Sequence, residues 1–202
     1  MTLYILLWML NLCYYMEDNQ SNMRSDKGKE IIMKLRKFEI DSDFELVKDW
    51  VTDERTHAMW CANLIKYPLS KEHLAESLEA AANRFGDVPY VAVSDDDKVV
   101  GFFCYSFNQD TKEGMIKFVV VNPEARGKGI AREMLSLAVE QAFENPEAAG
   151  VQLNVFPENI RAKKCYEKAG FVERNLTPKA FSYKDESWGR CNMVFRRETA
   201  NP

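Results

Sequence analysis

The sequence predicts a mixed α/β fold, a central mixed and mostly antiparallel sheet flanked by helices. Three observations carry that prediction. Residues 33–85 hold one amphipathic strand followed by helical periods, and residues 90–121 hold three strand-like runs separated by short polar turns. Residues 118–156 then run strand, turn, helix, strand, the order of a parallel crossover. At 202 residues, with 46% hydrophobic and 12% aromatic content, a single domain with a substantial core is expected.

Charge and cysteine usage narrow the class. Lys and Arg total 27 against 31 for Asp and Glu, a formal net charge of -4, so neither nucleic acid nor an anionic membrane is an expected partner. The five cysteines (Cys13, Cys61, Cys104, Cys165 and Cys191) are odd in number and form no CxxC, which fits free thiols in a reducing cytoplasm. His57 and His73 are too few for a zinc site, and no metal is expected.

The first element poses a question of its own. Leu3 to Leu12 is nearly all apolar, but no cation precedes it, no small-residue cleavage site follows it, and it is short for a membrane span. Residues 17–30 are polar and lack periodicity. Met33 is therefore the expected natural start, with residues 1–32 a translated leader or non-native extension and residues 33–202 the single domain.

From Met33 to Ile40 alternation predicts a strand. Ser42 with Glu45 reads as a capping box opening a helix to about Val51, on which Phe44, Val47, Trp50 and Val51 keep helical spacing. Asp53 to Cys61 reads as a short second helix. Ser70 caps a third, whose Leu74, Leu78 and Phe85 share a face until Gly86 ends it. Tyr90–Ser94 and Val99–Phe107 flank the Asp95-Asp96-Asp97 turn as a hairpin, and Met115–Val121 adds a third antiparallel strand. A helix from about Lys128 to Glu144 follows, with Ile130, Met134, Leu137, Ala138 and Gln141 or Ala142 inward. Val151–Phe156 is the next strand. A helix from Asn159 to Ala169 stops at Gly170, and Phe171–Arg174 and Cys191–Arg197 close the sheet around an aromatic-rich interval, residues 175–190.

The chemistry concentrates at FVVVNPEARGKGIA, Phe118 to Ala131. An apolar strand ends at Asn122-Pro123, and Arg126-Gly127-Lys128-Gly129 opens a helix whose first N–H groups lack intrahelical partners; glycines and the helix dipole there suit a phosphate. Alone, Gly127-x-Gly129 is weak: it lacks a dinucleotide fingerprint's third glycine, and no Gly-Lys-Ser or Gly-Lys-Thr follows. A second segment, VFPENIRAKKCYEKAGF from Val155 to Phe171, strengthens it.

Together the two segments resemble the GNAT acetyltransferase superfamily. Arg126, Gly127, Lys128, Gly129, Ile130 and Ala131 match its acetyl-CoA motif, and Asn154, Asn159, Ala162, Tyr166, Gly170 and Phe171 match its next motif. The resemblance implies acetyl-CoA as co-substrate and a pair of splayed parallel strands with the pantetheine arm between them, along Phe118, Val119, Val120 and Val121 and beside Asn154. It implies amides of residues 126–131 around the pyrophosphate, with charge from Arg126 and Lys128, and Asn159 and Ala162 beside the cofactor. Tyr166 is implied as the proton donor to the leaving thiolate. The implied activity is acetyl transfer to a primary amine by direct attack, the acceptor being a small molecule or a protein amine, with a homodimer left open. A regulatory module that binds acetyl-CoA without turnover is the alternative. For the base, Glu113 just outside its strand, Glu54, His57 and a water relay stay open. Trp60, Tyr67, Phe181, Tyr183 and Trp188 are the acceptor-side candidates, and Cys165 reads as a packing thiol.

Overall fold

The computed structural model describes residues 32–197 of the chain. The leader expected over residues 1–32 therefore lies outside the described residues apart from Ile32. Strand β1, Met33–Lys37, leads into helix α1, Ile40–Val47, a 3-10 turn at Lys48–Trp50, α2, Glu54–Cys61, and α3, Lys71–Phe85. Strands β2, Val88–Ser94, β3, Val99–Asn108, and β4, Glu113–Val121, follow. Helix α4, Ile130–Phe143, connects to β5, Gly150–Val155, and α5, Ile160–Lys168, to the closing pair β6, Val172–Tyr183, and β7, Glu186–Arg196.

The seven strands form one sheet in the order β1-β2-β3-β4-β5-β7-β6. β4 and β5 pair in parallel, and the other neighbours are antiparallel. Side chains that alternate along a strand enter different layers. Val91, Val93, Phe102 and Cys104 pack with Phe44, Val47, Cys61 and Leu74 from the first three helices. Ala92, Phe103, Ile116, Val151 and Leu153 pack with Met134, Leu135, Ala138 and Tyr166 from the last two. Helices thus cover both faces of the sheet.

The differences from expectation have local causes. The Ser42–Glu45 box does not form, and α1 starts earlier because Asp43 is drawn inward. Its carboxylate accepts from the Glu39 amide at 2.9 Å and takes both Arg36 Nη atoms at 2.6 and 2.7 Å, so β1 and the helix start share one buried acid. Asp53 and Ser70 cap α2 and α3, and Gly86 ends α3 with φ 70°. On α4 the buried stripe includes Leu135 and Val139, whereas Leu137 is only partly buried. The largest difference is the end of the chain. Residues 175–190 are not an interval between short strands but the greater part of a hairpin paired from Val172↔Val194 to Tyr183↔Glu186. β6 lies at the sheet edge and is exposed along nearly its whole length, which removes the alternation that marks a half-buried strand; Pro178 and a register shift between Thr177 and Phe181 blur it further.

Candidate active site

The site begins where the parallel pair stops pairing. β4 and β5 run in register from Glu113↔Gly150 to Ile116↔Leu153; beyond that, β4 continues to Val121 and β5 to Val155 without being paired to each other. The cause lies in β4. Between the pairs Phe102↔Val120 and Cys104↔Lys117 the register with β3 shifts, and Phe118 takes φ 54°, a left-handed conformation rare for a bulky side chain. Lys117 reaches Asp87 at 2.6 Å and Phe118 packs in the same layer, so two successive side chains share one face. Past the bulge, Val119 to Val121 of β4 and Asn154 and Val155 of β5 do not pair with each other, which leaves a slot between the two strand ends.

At the mouth of the slot the chain builds an amide cradle. Asn122 accepts from the Glu124 amide at 3.0 Å, the Arg126 amide bonds Pro123 O at 3.3 Å, and the first α4 bond is from Glu133 N to Gly129 O at 3.1 Å. Between those two donors, the amides of residues 127–132 donate to no backbone carbonyl among the described residues. Gly127 at φ 80° and Gly129 at φ 85° give the loop its left-handed turns, and both are exposed with Lys128. Open N–H groups at the positive end of a 14-residue helix are the arrangement that suits an anion.

The Arg126 side chain corrects the expectation of a phosphate-facing charge. Its Nε donates to Val121 O at 3.1 Å and its Nη2 to Trp50 O at 2.9 Å, so it braces the loop against the end of β4 and the 3-10 turn. Burial lowers its pKa, and the Arg161 charge adds to that. Arg161, exposed in the first turn of α5, is thus a nearby cation that the sequence reading missed; its position one residue after the cap-following Ile160 is the signal that was there.

Residues 44–171 match the Acetyltransferase (GNAT) family. The chain belongs to that family. It is an N-acetyltransferase with acetyl-CoA as co-substrate. Among its relatives, an aminoglycoside N(6')-acetyltransferase type 1 of Klebsiella pneumoniae is 25% identical over 142 residues, 65% of this chain and 70% of that protein. A kanamycin resistance protein of Rhizobium radiobacter is 40% identical over 52 residues, 26% of this chain and 48% of that one. The fold matches that of spermidine N-acetyltransferase from Vibrio cholerae, solved with CoA and spermine, with TM-score 0.68 at 20% identity over 81% of this chain and 95% of that one.

Within this GNAT fold, α5 carries the second motif. Asn159 accepts from the Ala162 amide at 3.1 Å and so caps the helix, which is what these two residues do for each other. Tyr166 lies one helical turn further on at 8% exposure, in the core cluster that holds Val121, Ile130 and Val155. Its hydroxyl bonds no protein group among the described residues. Burial raises its pKa far above the ordinary phenol value, so it stays protonated and suits a donor, not a base. Asn154 is exposed and accepts from Asn192 Nδ2 at 3.2 Å.

The base candidates separate. Glu113 is not outside its strand but opens β4, at the end away from the loop, where Arg174, Arg196 and Gln152 bond it at 2.9, 2.8 and 2.8 Å. About 25 Å of strand lies between it and Val121. Glu54 is bound by Lys184 at 2.8 Å. His57 is fully buried, edge-on to Tyr67 at 5.3 Å and beside Cys61 Sγ at 3.6 Å. Glu113 and His57 are thus buried and committed to other partners, whereas Glu54 is an exposed carboxylate in a surface ion pair.

On the acceptor side, Tyr183 and Trp188 are structural. They stack at 4.8 Å and close a small cluster with Ala58 and Phe156, while Arg55 lies 5.0 Å over Trp188 and bonds Glu186. Tyr67 keeps 45% exposure and Phe181 is partly buried. Trp60 proves different again: its Nε1 donates to Phe118 O at 2.7 Å, directly at the bulge. Cys165 sits half-buried among core side chains, its pKa raised by burial, as expected of a packing thiol.

Proposed function

We propose that this chain acetylates a primary amine of a small, multiply aminated acceptor, with acetyl-CoA seated in the slot between β4 and β5. The observation that carries the reading is the junction of an unpaired strand end with an amide cradle, Phe118 to Ala131, in a chain of this family. Backbone groups of Phe118 to Val121 and Asn154 line the pantetheine arm as an added strand would, and amides of residues 127–131 take the pyrophosphate. Lys128 supplies local charge, and Arg161 adds to it; Arg126 holds the loop through its side chain, and Asn159 and Ala162 hold α5 against the slot.

The reaction follows from these positions. The neutral amine nitrogen forms a bond to the thioester carbonyl carbon, the C–S bond breaks, and Tyr166 gives its proton to the departing sulfur. The amine loses its own proton to water, and water returns one to the Tyr166 phenolate, so the products are the acetylated amine and the CoA thiol. Free amines of this type have an ordinary pKa of about 10.4, so the rate rises with pH as the neutral fraction grows. Support for a small acceptor comes from relatives named for aminoglycosides and spermidine. Residues 33–202 are read as one catalytic domain working in the cytoplasm. Cys61, Cys104, Cys165 and Cys191 are unpaired there, and no helix among the described residues is long and apolar enough to cross a membrane.

The test is thiol release from acetyl-CoA across a panel of aminoglycosides, polyamines and lysine peptides, with the acetylated product identified by mass. Release with a small polyamine or aminoglycoside is expected. Turnover only with peptides would overturn the small-acceptor reading, and tight CoA binding with no turnover on any amine would point to a sensor.

A further inference from the structure

We infer that Trp60 is a positioning residue for the cofactor slot: its indole N–H holds the Phe118 carbonyl, and with it the bulge that parts β4 from β5. The inference rests on the slot being the seat of acetyl-CoA.

Phe118 is held at φ 54°, where a side chain with a Cβ and a ring is disfavoured, so something outside the residue must keep it there. Its carbonyl is not used in pairing with β5, because that register ends at Ile116↔Leu153. The Trp60 indole meets this oxygen at 2.7 Å, a short bond for an N–H donor. The indole is itself fixed. It packs edge-on against Phe118 at 6.0 Å, Phe102 at 6.3 Å and His57 at 5.9 Å. Its helix is tied to the β6–β7 turn by the pairs Arg55–Glu186 and Glu54–Lys184.

A planar trans peptide makes one direction dictate another. With the Phe118 C=O aimed at Trp60, the Val119 N–H points the opposite way, and the path of Val119 to Val121 along the slot is set. One hydrogen bond therefore joins a helix on the acceptor side to the wall that faces the cofactor. Removing the N–H while keeping an aromatic ring removes the clamp and lets the strand relax toward β5, which narrows the slot.

The experiment measures CoA affinity by calorimetry in the full chain for Trp60→Phe, Phe118→Gly and the double variant. Trp60→Phe is expected to weaken CoA binding by about tenfold. In the Phe118→Gly background the same change is expected to alter affinity by less than about twofold, since glycine holds a left-handed conformation unaided. An equal loss in both backgrounds, or no loss in either, overturns the clamp. If the variants do not fold, exchange of the Trp60 indole hydrogen in the unmutated protein decides: slow exchange supports the bond, and exchange at the rate of a free indole overturns it. Absence of CoA binding by the unmutated protein would instead defeat the cofactor reading, which the indole exchange leaves separately testable.

Discussion

Tyr166 stands in a core of apolar side chains with its hydroxyl uncommitted, and that pairing of burial with a free O–H is what a proton donor to a leaving thiolate needs. Tyr166→Phe keeps the ring and removes the proton, so kcat is expected to fall by about a hundredfold or more while KM for acetyl-CoA stays close to its original value. Steady-state thiol release measures both. Glu113 makes the opposite case. Two solvent-accessible arginines and a glutamine hold its buried carboxylate, so Glu113→Gln is expected to lower stability by about 1–3 kcal/mol, measured by urea unfolding, while the pH dependence of kcat keeps its shape. A lost acidic limb, the low-pH rise that a general base governs, would reinstate Glu113 as the base. His57 contributes through its titration. Burial holds its pKa below the ordinary value of about 6.5, although Glu54 pulls the other way. As pH falls through about 6.5 the unfolded chain takes up a proton that the folded chain refuses, so stability is full above that pH and declines below it until the folded imidazole titrates. Thermal unfolding followed downward from neutral pH is expected to show that decline, and His57→Gln to flatten it.

In backbone form, the loop of residues 122–129 is the element on which sequence and structure agree most closely. Its glycines, the Asn122-Pro123 turn and the start of α4 were legible because each obeys a local rule: left-handed backbone needs glycine, and a helix starts where amphipathic spacing starts. Gly129→Ala is expected to weaken CoA binding by about tenfold through the left-handed φ at that residue, with little change in overall fold, and calorimetry with circular dichroism checks the two halves of that statement. The other wall of the slot was not legible. Nothing in Phe118-Val119-Val120-Val121 distinguishes a bulged strand from a regular one, since the conformation of Phe118 is imposed by Trp60, a residue far away in the chain. The same holds for Arg126. Its charge in a phosphate motif suggests a ligand, whereas its two backbone acceptors, one of them Trp50 O, come from tertiary packing. β6 escaped for a simpler reason, because an exposed edge strand leaves no buried periodicity to read.

At the scale of the whole molecule, the sheet divides the work. The half from β1 to β4 is covered by α1 to α3 on one face, and α4 and α5 close the other, so the cofactor slot falls where the parallel pair separates at the centre of the sheet order. We propose that the acceptor approaches from the α2 and β6–β7 side, where Tyr67 and Phe181 retain exposure. The structure of the complex with CoA tests this arrangement most directly. The pantetheine arm is expected between Val119–Val121 and Asn154–Phe156, with the pyrophosphate on the amides of residues 127–131 and the sulfur within hydrogen-bond reach of the Tyr166 hydroxyl. CoA bound away from the slot, or in it with its sulfur remote from Tyr166, would contradict it.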